Sequence, residues 1–397
     1  MECCVSWLLL AACLFGVVFS GDPEENLDAC GIVQYHGYPC EKHFVVTDDG
    51  YILQMQRIPY GKKNHTKPVP GVTKPAMYLQ HGLLAASTNW VANLVNESFG
   101  FLLADAGYDV WMGNVRGNTY GHNHTKLSPK SKAFWKFSFD EMIRYDVPAM
   151  ITHILRTTGL EQIYYTGHSQ GTMVMFAGLS RNKTLATQVK AFFALAPVTT
   201  LGHIGGAFKE LSYIAPEIID IVNLFGDGEF LPSSHFVRFL AQNFCDTQLA
   251  EVCENILFVI AGYDKAGMNE TRLPVYTSHC PAGTSVQNIA HFAQLIRSNL
   301  FQMYNYPTKE ENIEHYGQAT PPLYPIEAIT NPIYIFSGGK DILADPTDVA
   351  SLKPRLQNLK GSVYIPPFEH LDFVWGLQAA DLVYKPIIKI LAEMEGR

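Results

Sequence analysis

Apolar and polar positions change their period several times along this chain, and the changes divide it. From 43 to 60, "HFVVTDDGYILQMQRIPY", the two alternate on either side of Asp49-Gly50, which predicts a β-hairpin turning at that pair. Short apolar runs then trade places with helical spacing. "PAMYLQ" (75–80), "DVWMGN" (109–114), "QIYYTG" (162–167) and "VKAFFALAP" (189–197) read as buried strands. "SFGFLLADAGY" (98–108), "DVPAMITHILRTTG" (146–159) and "TMVMFAGLSR" (172–181) read as helices, the second with Pro148 in its first turn and Gly159 as its stop. Near-continuous apolar strands separated by helices predict an α/β fold, with a mostly parallel central sheet covered by helices on both faces.

This rhythm stops near Val198. From about Leu201 to Tyr324 helical patterns rich in aromatic residues dominate, as in "SYIAPEIIDIVNLF" and "SSHFVRFLAQNF". Strand signals return with "NPIYIFSGG" (331–339) and "GSVYIPP" (361–367), and the helical "AADLVYKPIIKILAEME" closes the chain. The pattern predicts one core, residues 21–200 and 326–397, interrupted by a helical cap and lid domain over 201–325.

The first 20 residues change the picture of where the protein goes. An apolar stretch from Val5 to Phe19 is followed by Ser20, Gly21 and abrupt acidity, as in a cleaved signal peptide. The n-region carries Glu2 and neither Lys nor Arg, so a short N-terminal anchor is the alternative. Sequons at Asn64, Asn96, Asn123, Asn182 and Asn269 suit passage through the secretory pathway, toward a lysosome or an extracellular lumen. Five cysteines lie after the signal, so at least one is a free thiol or joins another chain. Cys245 with Cys253 is the expected bridge, Cys30 with Cys40 a second candidate, and Cys280 the remainder.

Charge and composition narrow the function classes. A chain that is 47% hydrophobic buries a large core, and a net charge of -8 without a long basic run argues against nucleic acid. No Cys or His spacing suits zinc, and no metal, cofactor or later transmembrane span is expected. A monomer is expected.

"YYTGHSQGTMVMF" (164–176) carries the candidate chemistry, because Ser169 stands between Gly167 and Gly171 at a predicted strand-to-helix junction. That junction presents a serine hydroxyl in a strained turn, whereas a serine in a plain tight turn is the alternative. A nucleophilic serine needs a base, an acid to orient the base, and donors for an oxyanion. Backbone N–H groups of Gln170 and of Leu83, just after the strand ending "LQHG", are the donor candidates, with an ordinary turn as the alternative at Leu83. In this architecture acid and base follow the serine, so His81 is given a structural role and His315, which precedes the acid, is excluded. Asp341 follows "NPIYIFSGGK" and is preferred to Asp345, which precedes Pro346 and reads as a helix N-cap. His370 follows "SVYIPPFE" and is the candidate base, while His168 reads as scaffolding of the turn.

With these residues in place, the chain resembles the acid lipase family of animals, which includes the gastric and lysosomal acid lipases. The motifs are "LQHGLLAASTNW", "LADAGYDVWMGNVRGNTYG", "FSFDEM", "YYTGHSQGT", "FFALAPV", "PAGTSVQN", "SGGKDILADPTDV" and "HLDFVWG". The resemblance implies an α/β-hydrolase fold, Ser169, Asp341 and His370 as a triad, and Leu83 and Gln170 as oxyanion donors. It further implies a serine ester hydrolase that acts on triacylglycerols or cholesteryl esters at a lipid–water interface. Phe225, Phe230, Phe236, Phe239 and Phe244 fall where the family carries its lid, although aromatics there also suit simple packing of a cap. Four positions depart from the family: the Cys30 and Cys40 pair, Cys280, and Tyr120 where the family favours Trp. A carboxylesterase of small soluble esters is the alternative enzyme, and a lipid carrier without catalysis would have lost a triad residue.

Overall fold

The alternating segment near the N-terminus pairs with itself. β1 (Glu41–Val46) and β2 (Tyr51–Ile58) run antiparallel with Val46 opposite Ile52, and Gly50 takes φ 103° in the turn between them. The computed structural model describes residues 21–63, 66–206, 208–210, 212–213, 228–230, 258, 261–262, 264 and 266–397. The expected Cys245–Cys253 bridge, Asn64, and Phe225, Phe236, Phe239 and Phe244 lie outside them, as does the stretch read as a signal peptide.

The remaining strands are β3 (Ala76–Gln80), β4 (Asp109–Gly113), β5 (Asn123–His124), β6 (Ile163–His168), β7 (Val189–Leu195), β8 (Glu229–Phe230), β9 (Thr284–Ser285), β10 (Ile333–Gly338) and β11 (Leu359–Ile365). The main sheet has the order β1-β2-β4-β3-β6-β7-β10-β11, with β5 on β2, and from β4 to β11 every neighbour is parallel. β8 and β9 form a separate antiparallel pair. Every residue of β3, β4 and β6 is buried, which is why these strands read as apolar runs without alternation.

Helices cover the faces as their spacing predicts. The helix Val147–Thr158 buries Val147, Met150, Ile151 and Ile154 on one stripe, and Gly159 ends it at φ 72° with its N–H on the Leu155 carbonyl. Because the central strands are parallel, the loops leaving β3, β6, β10 and β11 all emerge at one edge of the sheet, the usual place for a site in such folds.

Two buried polar clusters fasten this frame. Arg116, in the loop after β4, bonds through Nε to Asp146 Oδ1 at 2.9 Å and through Nη1 to Asp49 Oδ2 at 2.6 Å, joining the hairpin turn to the start of a helix. Arg272 grips Glu24 with both terminal nitrogens, at 2.9 and 2.7 Å, and so ties the N-terminal segment to residues far along the chain.

Cys30, Cys40 and Tyr120 meet in space. A disulfide joins Cys30 to Cys40, stapling the helix Ala29–Tyr35 to the lead-in of β1. Beside it, the Ala29 N–H donates to the Tyr120 hydroxyl at 2.9 Å. An indole has no acceptor to offer that N–H, so tyrosine suits this packing where tryptophan would not. Cys280 is buried, with Sγ 3.4 Å from Asn89 Oδ1. Of the sequons, Asn96 and Asn123 are exposed, while Asn182 and Asn269 are half-buried and use Oδ1 to cap the N–H of Leu185 and Thr271. No helix among the described residues is long and apolar enough to cross a membrane.

The Arg116 cluster makes a prediction about stability. Arg116 is 1% and Asp146 0% exposed, so Asp146→Ala strands a buried guanidinium with only Asp49 beside it. The expected loss is about 3 kcal/mol or more in urea unfolding; a loss below about 1 kcal/mol, the worth of an exposed pair, would show that the pair carries little.

Candidate active site

β6 hands the chain directly to the helix Gln170–Arg181, and Ser169 is the residue between them. Its backbone sits at φ 54° and ψ -121°, a conformation that costs a residue other than glycine about 1–3 kcal/mol. The surroundings hold it there. Ser169 N–H donates to the Leu195 carbonyl at 3.1 Å, and its carbonyl accepts from the Thr172 hydroxyl at 2.7 Å. That same hydroxyl accepts the Val198 N–H at 2.9 Å, so Thr172 pins the turn to the end of β7.

The two glycines of the motif are explained by space. A Cβ on Gly167 would lie 2.5 Å from the Gly171 carbonyl oxygen, and a Cβ on Gly171 would lie 2.4 Å from that of Gln80. The turn is thus wedged against the end of β3. There Gly82 approaches closely as well, since a Cβ would fall 3.0 Å from Ser169 Cβ.

From β10 comes Asp341 and from the loop after β11 comes His370. Their side chains meet: His370 Nδ1 is 3.0 Å from both Asp341 oxygens. Asp341 Oδ1 also accepts the N–H groups of Leu343 and Ala344, at 2.9 and 2.8 Å. A carboxylate only accepts, so the imidazole carries a proton on Nδ1. Asp345 instead caps the helix Pro346–Leu352 through Thr347 N–H, and His315 stacks on Tyr306 at 3.8 Å, away from this cluster.

Ser169 and His370 open onto one cavity, together with Gly82, Leu83, Leu84, Val198, Leu201, Ile204, Phe292 and Leu371. Its walls are mostly apolar, with Asn89 and His168 also among them. Leu83 stands on the wall, and Gln170 opens its helix, so the Gln170 N–H has no partner one turn back. The Gln170 side chain turns elsewhere, accepting from Asn288 Nδ2 at 2.8 Å.

The loop bearing Leu83 rests on a polar network that sequence reasoning missed. His81 donates through Nδ1 to the Gly82 carbonyl at 2.8 Å, and its Nε2 accepts from Val115 N–H and from Asn118 Nδ2. Asn118 also reaches the Ala85 carbonyl and Asn114 Oδ1, and Asn114 Oδ1 takes the Ser87 N–H. Burial pushes the His81 pKa down to about 4, which keeps this acceptor in place under acid conditions. "GNVRGNTYG" contains both asparagines, but nothing in their spacing says that they are buried beneath the cavity.

Comparison with known proteins places this geometry in context. Residues 30–94 match the family described as "Partial alpha/beta-hydrolase lipase region", and residues 75–213 match "alpha/beta hydrolase fold". Gastric triacylglycerol lipase of Rattus norvegicus is 47% identical over 381 residues, spanning 96% of this chain and 95% of its own. Lysosomal acid lipase/cholesteryl ester hydrolase of Homo sapiens is 44% identical over 394 residues, spanning 99% and 98%. A solved structure of a soluble variant of monoglyceride lipase from Saccharomyces cerevisiae shares the fold with a TM-score of 0.53 at 13% identity, over 89% of this chain and 95% of that one. An elbow serine on a mostly parallel sheet and relatives of nearly the same length lead to one placement: the chain belongs to the acid lipase family, within the α/β hydrolases.

Proposed function

We propose that this protein is a lipase that hydrolyses ester bonds of water-insoluble neutral lipids, with Ser169, His370 and Asp341 as its triad. The observation that carries the reading is that His370, paired with the buried Asp341, lines the same apolar cavity as Ser169. Ser169 Oγ attacks the ester carbonyl while His370 Nε2 takes its proton, and the N–H groups of Leu83 and Gln170 receive the oxyanion. Collapse breaks the ester bond, and His370 gives the proton to the leaving alcohol. Water then attacks the acyl-enzyme through the same imidazole, releasing the fatty acid and restoring Ser169.

The substrates we assign are triacylglycerols or cholesteryl esters, the classes for which the gastric and lysosomal relatives are named. A cavity walled by leucine, isoleucine, valine and phenylalanine supports long acyl groups over small polar ones. On this reading residues 1–20 are a signal peptide, 201–325 form a cap and lid domain, and the sequons carry glycans. The enzyme then works as a monomer at a lipid–water interface, in a lysosome or a lumen outside the cell.

Asp341 is suited to acid. Burial works to raise its pKa, but His370 and the two amide N–H groups outweigh burial and leave it below the ordinary carboxylate value. Because the folded state favours the ionised form, the stabilisation is present above the unfolded value of about 3.9 and is lost as pH falls through the lower folded one.

Three outcomes follow. Ser169→Ala lowers kcat on an activated ester by about 10⁴-fold or more; wild-type turnover would end the assignment. On emulsified triolein, cholesteryl oleate and a short soluble ester, kcat/KM is highest for a lipid emulsion, and a preference for the short ester would favour a carboxylesterase. In urea titrations run from about pH 3 to 6, Asp341→Asn flattens the acid fall of unfolding free energy; an unchanged slope would mean that Asp341 is not held ionised by the fold.

A further inference from the structure

His168 precedes the serine within the motif, where sequence reading gives it only a scaffolding part. Its ring is 2% exposed, and Nε2 lies 3.0 Å from the backbone carbonyl oxygen of His370. A carbonyl only accepts, so Nε2 carries the proton and donates it. The two imidazoles also pack together, with ring centroids 4.9 Å apart and planes inclined at 45°. Among the described residues, this is the one hydrogen bond between the β6 elbow with its helix (163–181) and the segment that carries His370 (359–376).

From this geometry we infer that His168 is a positioning residue for the reaction: its Nε2–H clamps the His370 carbonyl and so sets the base against the serine one residue away. The inference rests on the reading of His370 as base. The Asp341 contact fixes the tilt and tautomer of that imidazole, yet both Asp341 and His370 ride on loops after β10 and β11, apart from the strand that carries Ser169. His168 is the link between the two halves.

The other nitrogen argues that the ring is kept for more than filling space. His168 Nδ1 is buried with no hydrogen-bond partner among the described residues, and it faces Gly82, where a Cβ would lie 3.3 Å away. A buried acceptor without a donor lowers stability, which an apolar ring at this position would avoid. The ring is also neutral over the acid range. Burial first, then the adjacent His370, pull its pKa down to about 3, with His81 adding to the fall, while the His370 carbonyl and Asp341 oppose it. It therefore adds no second positive charge beside the imidazolium that His370 becomes during catalysis.

The test compares His168→Phe, which keeps a ring but has no donor, with His168→Gln, whose amide N–H can occupy the Nε2 position. Each is assayed on an emulsified ester after the reactive serine has been counted with a stoichiometric phosphonate, and thermal melts are recorded. The expected result for H168F is a fall of about 10- to 100-fold in kcat per titrated site with KM little changed, the cost of a small misplacement of a catalytic group. H168Q recovers most of that loss. If kcat per titrated site is unchanged in H168F, with only the melting temperature or the active fraction lowered, His168 is structural and the proposal falls. It falls equally if H168Q is as impaired as H168F. Phosphonate labelling that persists in Ser169→Ala would instead overturn the reading of the site itself, so the two failures are distinguishable.

Discussion

The backbone of Ser169 is the constraint on which the site depends. A residue with a Cβ held at φ 54° is unfavourable by itself, so the neighbouring chain must supply what keeps it there. Three contacts do so at once: Gly167 and Gly171 let the turn close against β3, Thr172 bonds it to Val198 just after β7, and the Leu195 carbonyl at the end of β7 takes the serine N–H. The same closure brings Gly82 within van der Waals range of the serine. The loop after β3 and Ser169 are therefore placed by one packing event, with the central sheet as its backing.

That arrangement explains what was legible in the sequence. The strands β3, β4, β6 and β7 were readable because burial on both faces demands unbroken apolar runs, and the helix Val147–Thr158 because a single stripe of it faces the sheet. Ser169, Asp341 and His370 stand out as candidates in the sequence because each follows a strand, and chain order leaves few competitors. Asp345 illustrates the limit of position alone, since only its place before Pro346 marked it as a cap rather than the acid. The order of the elements thus carried more information than any one residue.

What stayed hidden is buried polarity. Asn114 and Asn118 read as loop residues, yet both are almost wholly enclosed and bond the loop that carries Leu83. No periodicity distinguishes an exposed asparagine from one whose four hydrogen-bonding positions are spoken for, because the partners come from distant segments. Tyr120 is similar: its identity matters through one acceptor atom beneath the Ala29 N–H, next to a disulfide that sequence offered only as a candidate. His168 was legible as part of a motif and illegible as a link to a loop 202 residues away.

Buried titratable groups pull the stability of this fold in opposite directions as pH falls. Burial lowers His81 to about 4 and His168 and His291 to about 3, so their contribution is present above the unfolded histidine value and shrinks as pH drops toward the folded ones. Asp372 works the other way. Burial, joined by Asp264 and Glu369 and opposed by the Glu369 N–H, raises it to about 7, so its contribution is complete below the unfolded carboxylate value and fades as pH rises through the folded one. Burial likewise pushes Asp140 and Glu141 upward. Carboxyl groups that prefer a proton offset His81, His168 and His291, which resist one. The pH dependence of this fold is therefore set by buried carboxyl groups as much as by buried histidines.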